Sequence, residues 1–241
     1  MDFFDGQILA FDKPYRDTSF RVVYTVRRAL TERMGGRKIK VGHAGTLDPL
    51  ATGLLLVCTG RATKRIEELQ ALDKEYEATL RLGATTASYD MEHPVEATFP
   101  TDHITHDMVE ATLRNFEGDI LQTPPAYSAC KIGGTHAYHL ARRGAEVSIK
   151  PRPVHIYGIE LLSFALPDIR IRVHCGKGTY IRSLARDIGE ALGSGAYLTS
   201  LRRTRVGQYR ADQAMNPADF AGWLEGIDVE IPDIVGQTSA K

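Results

Sequence analysis

The run Val41-Gly42-His43-Ala44-Gly45-Thr46-Leu47-Asp48-Pro49-Leu50-Ala51-Thr52-Gly53 brackets one carboxylate and one histidine with three glycines and a proline. Asp48 precedes a proline, which pushes its backbone towards an extended conformation. That suits a loop presenting an ionised oxygen as nucleophile or base at neutral pH. The same Asp-Pro pair is also an ordinary N-cap and first residue of a helical turn, and on physics alone the cap is the preferred reading. Other chemistries find little support. Cys58, Cys130 and Cys175 are odd in number and far apart, so neither a disulfide framework nor a zinc site is expected. Neither a G-x-G-x-x-G run nor a P-loop pattern occurs, so no nucleotide cofactor is expected.

The elements that must position these groups follow from periodicity. Gly6 to Phe11 and Leu54 to Cys58 read as buried strands. Thr18 to Met34 has helical spacing through Phe20, Val23, Tyr24, Arg27 and Leu30, with Thr18 or Ser19 as N-cap. Ala62 to Leu72 reads as a helix. Lys74 to Leu82 alternates, placing Tyr76, Ala78, Leu80 and Leu82 on one face and Glu75, Glu77, Thr79 and Arg81 on the other. Asp107 to Phe116 is an amphipathic helix. Val154 to Phe164 and Asp168 to Cys175 form a hairpin with Pro167 near its turn. Thr179 to Leu192 is a helix with Thr179 as N-cap, and Arg203 to Tyr209 is a last strand. Helices and strands mix without regular alternation, which predicts an α+β fold on a mixed, largely antiparallel sheet flanked by helices.

The 241 residues suffice for one large domain, and their net charge is zero. The distribution is uneven. Lys13 to Lys40 holds nine Lys/Arg against two acids, Tyr127 to Arg152 five against one, and Lys177 to Arg205 six against two, while Glu67 to Asp119 holds thirteen acids against three bases. Three basic segments can converge into a footprint for phosphates, or point apart as solvated surface. No apolar run approaches the ~18 residues that span a membrane, and the acidic N-terminus does not resemble a secretory signal. A cytoplasmic location is expected.

Several motifs occur in order along the chain: Lys13-Pro14 with Thr18-Ser19, Gly42 to Gly53 followed by Gly60-Arg61-Ala62-Thr63-Lys64, and Lys74-Glu75-Tyr76 followed by Arg81-Leu82-Gly83. Pro125-Ala126-Tyr127-Ser128-Ala129 with Lys131, Gly178 to Gly189, and Leu201-Arg202-Arg203 with Gly207 complete the set. Together they span roughly residues 8 to 210, and the ordered set resembles the TruB family of tRNA pseudouridine synthases.

The resemblance implies the pseudouridine synthase fold and isomerisation of uridine 55 in the T-loop of tRNA, by base flipping and rearrangement of the glycosidic bond. It implies Asp48 as the carboxylate that initiates cleavage, Arg182 as its partner, and Tyr76 as the ring that stacks on the flipped uracil and can take its C5 proton. Tyr180 and Leu201 would wall the uracil pocket, His43 would contact the rearranged loop nucleotides, and Lys13 would lie with the substrate-binding residues. Taken alone, Tyr76, Tyr180 and Leu201 read as core, His43 as a loop histidine and Arg182 as a solvated helix residue. No metal or cofactor is implied. The expected partner is the tRNA T-arm, bound by a monomer without a protein partner.

The resemblance also implies a catalytic domain over residues 1–210, with an RNA-binding insertion at about 124–153 carrying Lys131, Arg142, Arg143, Lys150 and Arg152 among Tyr127, His136, Tyr138 and His139. On residues alone, Thr135 to Arg143 is a basic surface helix. Residues 211–241 are expected as a short acidic segment without the PUA domain that many relatives carry. The pattern is departed from at Arg16, where the family's first motif usually has glycine. Two other functions compete. A non-catalytic RNA chaperone would not need Asp48, and a glycosidase would need a second carboxylate opposite it.

Overall fold

The computed structural model describes residues 1–128, 130–132, 135–138, 143 and 149–230. They fall into two compact units: Met1–Pro49, Gly53–Gln70 and the chain from Tyr209 on make the first, and Leu50–Thr52 with Ala71–Gln208 the second.

In the first unit, β1 (Ile8–Lys13) pairs antiparallel with β3 (Ala51–Thr59), running from Ile8 opposite Cys58 to Lys13 opposite Gly53. On the other side of β3 lies the short β2 (Val41–His43). Helix α1 (Ser19–Arg33) starts where Thr18 accepts a hydrogen bond from the Arg21 amide, which satisfies one of the orphan donors of a helix start. Its inward stripe is Val22, Val23, Val26 and Leu30, packed with Phe3, Phe11, Leu55 and Val57 into one apolar cluster. Phe20 and Tyr24 have the spacing expected of that stripe but face solvent. The segment from Ala211, acidic by composition, folds onto this core. Met215 exchanges main-chain hydrogen bonds with Ala10 and Asp12, and Phe220 and Leu224 of a short helix, Phe220–Glu225, are buried in the cluster. The helix expected over Ala62 to Leu72 is a 3-10 stretch, Gly60–Arg65, running into α2 (Ile66–Ala71).

The second unit is built on an antiparallel sheet. Its central strand β4 (Lys74–Leu82) lies between β11 (Asp168–Cys175) and β12 (Ala196–Val206). Outside β11 come β10 (Arg152–Ala165) and β7 (Gly118–Gln122). The predicted alternation of β4 holds. Tyr76, Ala78, Leu80 and Leu82 are buried, while Glu77 faces the other way to pair with Arg172 and Arg170. β12 begins seven residues before the strand expected at Arg203, because a register shift between Leu198 and Ser200 breaks the period-two pattern that would have revealed it. Helix α3 (His106–Arg114) is capped by Thr105.

Helix α4 (Ile181–Ala191) has Tyr180, not Thr179, at its N-cap. Its seat on β12 depends on a glycine. A Cβ at Gly189 would lie 2.4 Å from the Ala196 nitrogen and 2.7 Å from its Cβ. At an exposed helical site, Gly→Ala gains about 1 kcal/mol. Here overpacking, which costs about 1–3 kcal/mol, should win. Gly189→Ala is therefore expected to lower stability in urea unfolding rather than raise it.

Candidate active site

In the first unit, the main chain on both sides of Asp48 is held. The Ser19 hydroxyl, buried at the start of α1, donates to the Leu47 carbonyl at 3.0 Å and accepts from the Leu47 amide at 2.9 Å. The Pro49 carbonyl accepts from the Arg16 amide at 2.8 Å and from the Lys13 ammonium at 3.3 Å. Lys13 is fully buried, and its Nζ also donates to the carbonyls of Pro14 (2.9 Å) and Asp17 (2.6 Å). Upstream, the Ala44 amide bonds to Leu56 of β3, and Gly45 turns the chain at φ +99°. Asp48 is half-buried between these fixed points, and a turn at Pro49-Leu50 leads straight into β3. No helix opens at Pro49, so the capping reading of Asp-Pro does not hold. Asp48 is instead presented from a loop clamped to β1, α1 and β3.

Arg16, where the family pattern has glycine, takes the conformation glycine favours, φ +67°. For an arginine this left-handed backbone is strained by roughly 1–2 kcal/mol. The turn is thus kept despite the substitution, and it delivers the Arg16 amide to Pro49. Lys13, expected among substrate-binding residues, is buried and donates from its ammonium to the carbonyls of Pro14, Asp17 and Pro49. His43 ends β2 opposite Val57 and is half-buried.

In the second unit, Tyr76 lies on the buried face of β4, opposite Val173 of β11 and Arg203 of β12. Leu201, half-buried on β12, stands opposite Ala78 and shares that face. Lys74 and Arg203 lie on it too, both buried. Burial, then the charge of Arg203, pull the Lys74 ammonium down from an ordinary 10.5 to about 8. Glu75 and Glu77 occupy the opposite face, where Glu75 accepts from the Thr204 hydroxyl at 2.8 Å.

Arg182 is not a solvated helix residue: it is 4% exposed. Its guanidinium donates to the Ser88 carbonyl (3.1 Å) and the Tyr127 carbonyl (2.8 Å), and its Nε lies 3.8 Å from the Asp90 carboxylate. Asp90 is itself buried and accepts from the Ser88 hydroxyl and the Glu92 amide. Sequence reasoning counted Asp90 only among a run of acids. The one local signal, Ser88-Tyr89-Asp90, is a turn in which Tyr89 takes φ +60°. The start of α4 is also tied to the foot of the insertion: the Tyr180 amide donates to Gln122 Oε1 (2.8 Å) and the Ser183 hydroxyl to the Thr123 carbonyl (2.8 Å). Tyr180 is half-buried. In the segment at about 124–153, Thr135–His136 is a strand paired with Lys131–Ile132, and helical residues begin at Ala137 rather than at Thr135. Arg143 is exposed, and Arg142 and His139 lie outside the described residues.

Among the described residues, no cluster of three or more His, Cys, Asp or Glu could hold a metal ion, and no helix is long and apolar enough to cross a membrane.

Comparison with known proteins agrees with these observations. The sequence model for the TruB family pseudouridylate synthase N-terminal domain matches residues 28–181, and that for the tRNA pseudouridylate synthase B C-terminal domain matches residues 182–228. A tRNA pseudouridine synthase B of Bacteroides fragilis is 60% identical over 97% of this chain and 100% of its own length. One of Flavobacterium johnsoniae is 48% identical over 93% of this chain and 98% of its own. Among solved structures, a chain of a Cbf5-Nop10-Gar1 complex superposes with a TM-score of 0.71 at 30% identity, over 94% of this chain. The match covers 58% of that longer chain.

Two outcomes follow from the geometry. Ser19→Ala removes both side-chain bonds to Leu47 in a buried site, and should cost about 1–3 kcal/mol in urea unfolding and lower kcat more than it alters KM. For Lys74 the folded pKa lies below the unfolded one, so between about pH 8 and 10.5 the unfolded chain binds more protons. Wild-type stability measured against Lys74→Met should therefore rise with pH across that window, by up to about 1.4 kcal/mol per pH unit. A flat difference would show that the ammonium titrates normally.

Proposed function

The chain belongs to the TruB family of pseudouridylate synthases, and from that premise we propose that it converts uridine 55 in the T-loop of tRNA to pseudouridine, with Asp48 as the catalytic carboxylate. The observation that carries the residue assignment is the clamp on Leu47 and Pro49, which fixes the main chain on either side of a half-buried carboxylate. A preset nucleophile or base avoids the cost of ordering a loop at each turnover.

The substrate is RNA, and the target uridine leaves its stack before chemistry. Asp48 initiates cleavage of the bond between N1 and the sugar, the uracil turns over, and its C5 bonds to the sugar. Tyr76 supports the uracil by stacking and takes the C5 proton. Tyr180 and Leu201 close the apolar wall, and His43 contacts the rearranged loop nucleotides. Arg182 orients the reacting carboxylate, with Asp90 holding the guanidinium. We assign residues 1–210 to the catalytic domain, with the insertion at about 124–153 covering the RNA stem-loop. The protein works in the cytoplasm as a monomer and needs no protein partner.

The glycosidase reading finds no support in Glu75 and Glu77, which lie on the face of β4 turned away from Tyr76. An RNA chaperone role can coexist with the enzyme. The deciding experiment is tritium release from tRNA labelled at uracil C5. Wild type should release about one equivalent from the T-loop uridine. Asp48→Asn, which keeps the shape and loses the charge, should release none while binding RNA as before. Near-normal release by the variant would overturn the assignment.

A further inference from the structure

Gln122 closes β7 and is buried where an amide is costly. The neighbouring Leu121 is 75% exposed, whereas Gln122 is turned inward and 1% exposed. Its Oε1 accepts from the Tyr180 amide at 2.8 Å. Its Nε2 has no hydrogen-bond partner among the described residues. Burying an amide donor without a partner is unfavourable. A methionine of similar length would fill the same space without that penalty. What a methionine could not do is accept from the Tyr180 amide.

The start of α4 needs such a hold. Tyr180 is its N-cap, and the Tyr180 side chain makes no capping bond. β11 delivers the chain to it through Gly176-Lys177-Gly178, of which Lys177 and Gly178 are exposed. The first amides of a helix lack intrahelical acceptors, and Gln122, 58 residues away in sequence, supplies one. The residues that follow Gln122 hold the same turn. The Thr123 carbonyl accepts from the buried Ser183 hydroxyl, and the Tyr127 carbonyl from the Arg182 guanidinium. In the ladder Gln122 stands opposite Arg152, the first residue of β10. The segment 123–151 therefore leaves and re-enters the sheet at this pair, and the first turn of α4 is fastened to its near end.

We propose that Gln122 is a positioning residue for the reaction: its Oε1 sets the start of α4, and through it the Tyr180 ring and the Arg182 guanidinium, without touching the substrate. The inference rests on the proposed roles of Tyr180 and Arg182, and the test separates the two. Wild type, Gln122→Met and Gln122→Glu are compared by tritium release from C5-labelled tRNA, by filter retention of the same RNA, by urea unfolding and by amide hydrogen exchange. Gln122→Met removes the unpartnered Nε2 but leaves the Tyr180 amide without Oε1, so the two effects oppose and the urea midpoint should stay close to wild type. Its kcat should nevertheless fall about ten- to a hundred-fold, the scale of a small misplacement of reacting groups. Its Kd should stay within about two-fold, because RNA affinity is dominated by backbone phosphates. Gln122→Glu keeps the acceptor, and a carboxylate is favoured at a helix N-terminus, so its kcat should stay within about three-fold of wild type. The Tyr180 amide should exchange faster in Gln122→Met and as in wild type in Gln122→Glu. Undiminished kcat in Gln122→Met, a loss of kcat matched by a loss of folding or of RNA affinity, or equal damage in both variants would overturn the proposal. Failure of wild type to release tritium would sink the proposed activity instead. The exchange arm would still decide the role of Gln122, since a Tyr180 amide equally protected in Gln122→Met refutes it.

Discussion

A lysine ammonium with no access to water anchors the first unit. Burying a charge is costly unless it is well hydrogen-bonded, and the Lys13 ammonium donates to three main-chain carbonyls, from Pro14, Asp17 and Pro49. All three belong to irregular backbone that has no ladder or helix to satisfy it. The same contact that makes the charge tolerable thus fixes the turn leading into α1 and the far side of the Asp48 loop. Ser19 completes the arrangement on the near side. The main chain on either side of the carboxylate is thus held through the amide and carbonyl of Leu47 and the carbonyl of Pro49.

The second unit reaches a comparable end by different means. A sheet with one buried face fixes which residues are turned inward, so Tyr76, Ala78 and Leu201 share a wall because their positions in register demand it. The cationic groups on that wall, Lys74 and Arg203, are bought with burial that alters how readily Lys74 keeps its proton. Arg182 comes from the first turn of α4, and that turn is tied to the foot of the insertion through Gln122, Thr123 and Tyr127. The placement of this guanidinium and the footing of the segment that follows Gln122 therefore depend on one set of hydrogen bonds.

Much of this was legible in the sequence where a period governed it. The alternation of β4 predicted its buried face residue by residue, and α1 and the β10–β11 hairpin stood out in the same way. Period alone failed on α1 in one respect. Phe20 and Tyr24 stand four residues apart, as do Val22, Val26 and Leu30, and only packing decides which stripe faces the core. The start of β12 was hidden by a register shift, and Asp90 by a local turn with no periodic signature. Pro49 marked Asp48 as a residue that does not continue a helix, but whether a helix followed depended on β3 beginning at Ala51. For the candidate site residues, motif order suggests roles that composition could not.

The clamp has a dynamic corollary. The Leu47 amide is bonded to a hydroxyl at the head of α1, and the Pro49 carbonyl to a charge inside the core, so the reaction loop cannot open without disrupting both. In terms of local unfolding, it belongs to the same cooperative unit as the apolar cluster beneath it, not to the low-stability segments from which lids and gates are drawn. A loop of this kind is preorganised, and induced fit at this point of the protein falls to the partner. Under the proposed function, the conformational work of bringing a stacked nucleotide to Asp48 would then fall largely to the RNA.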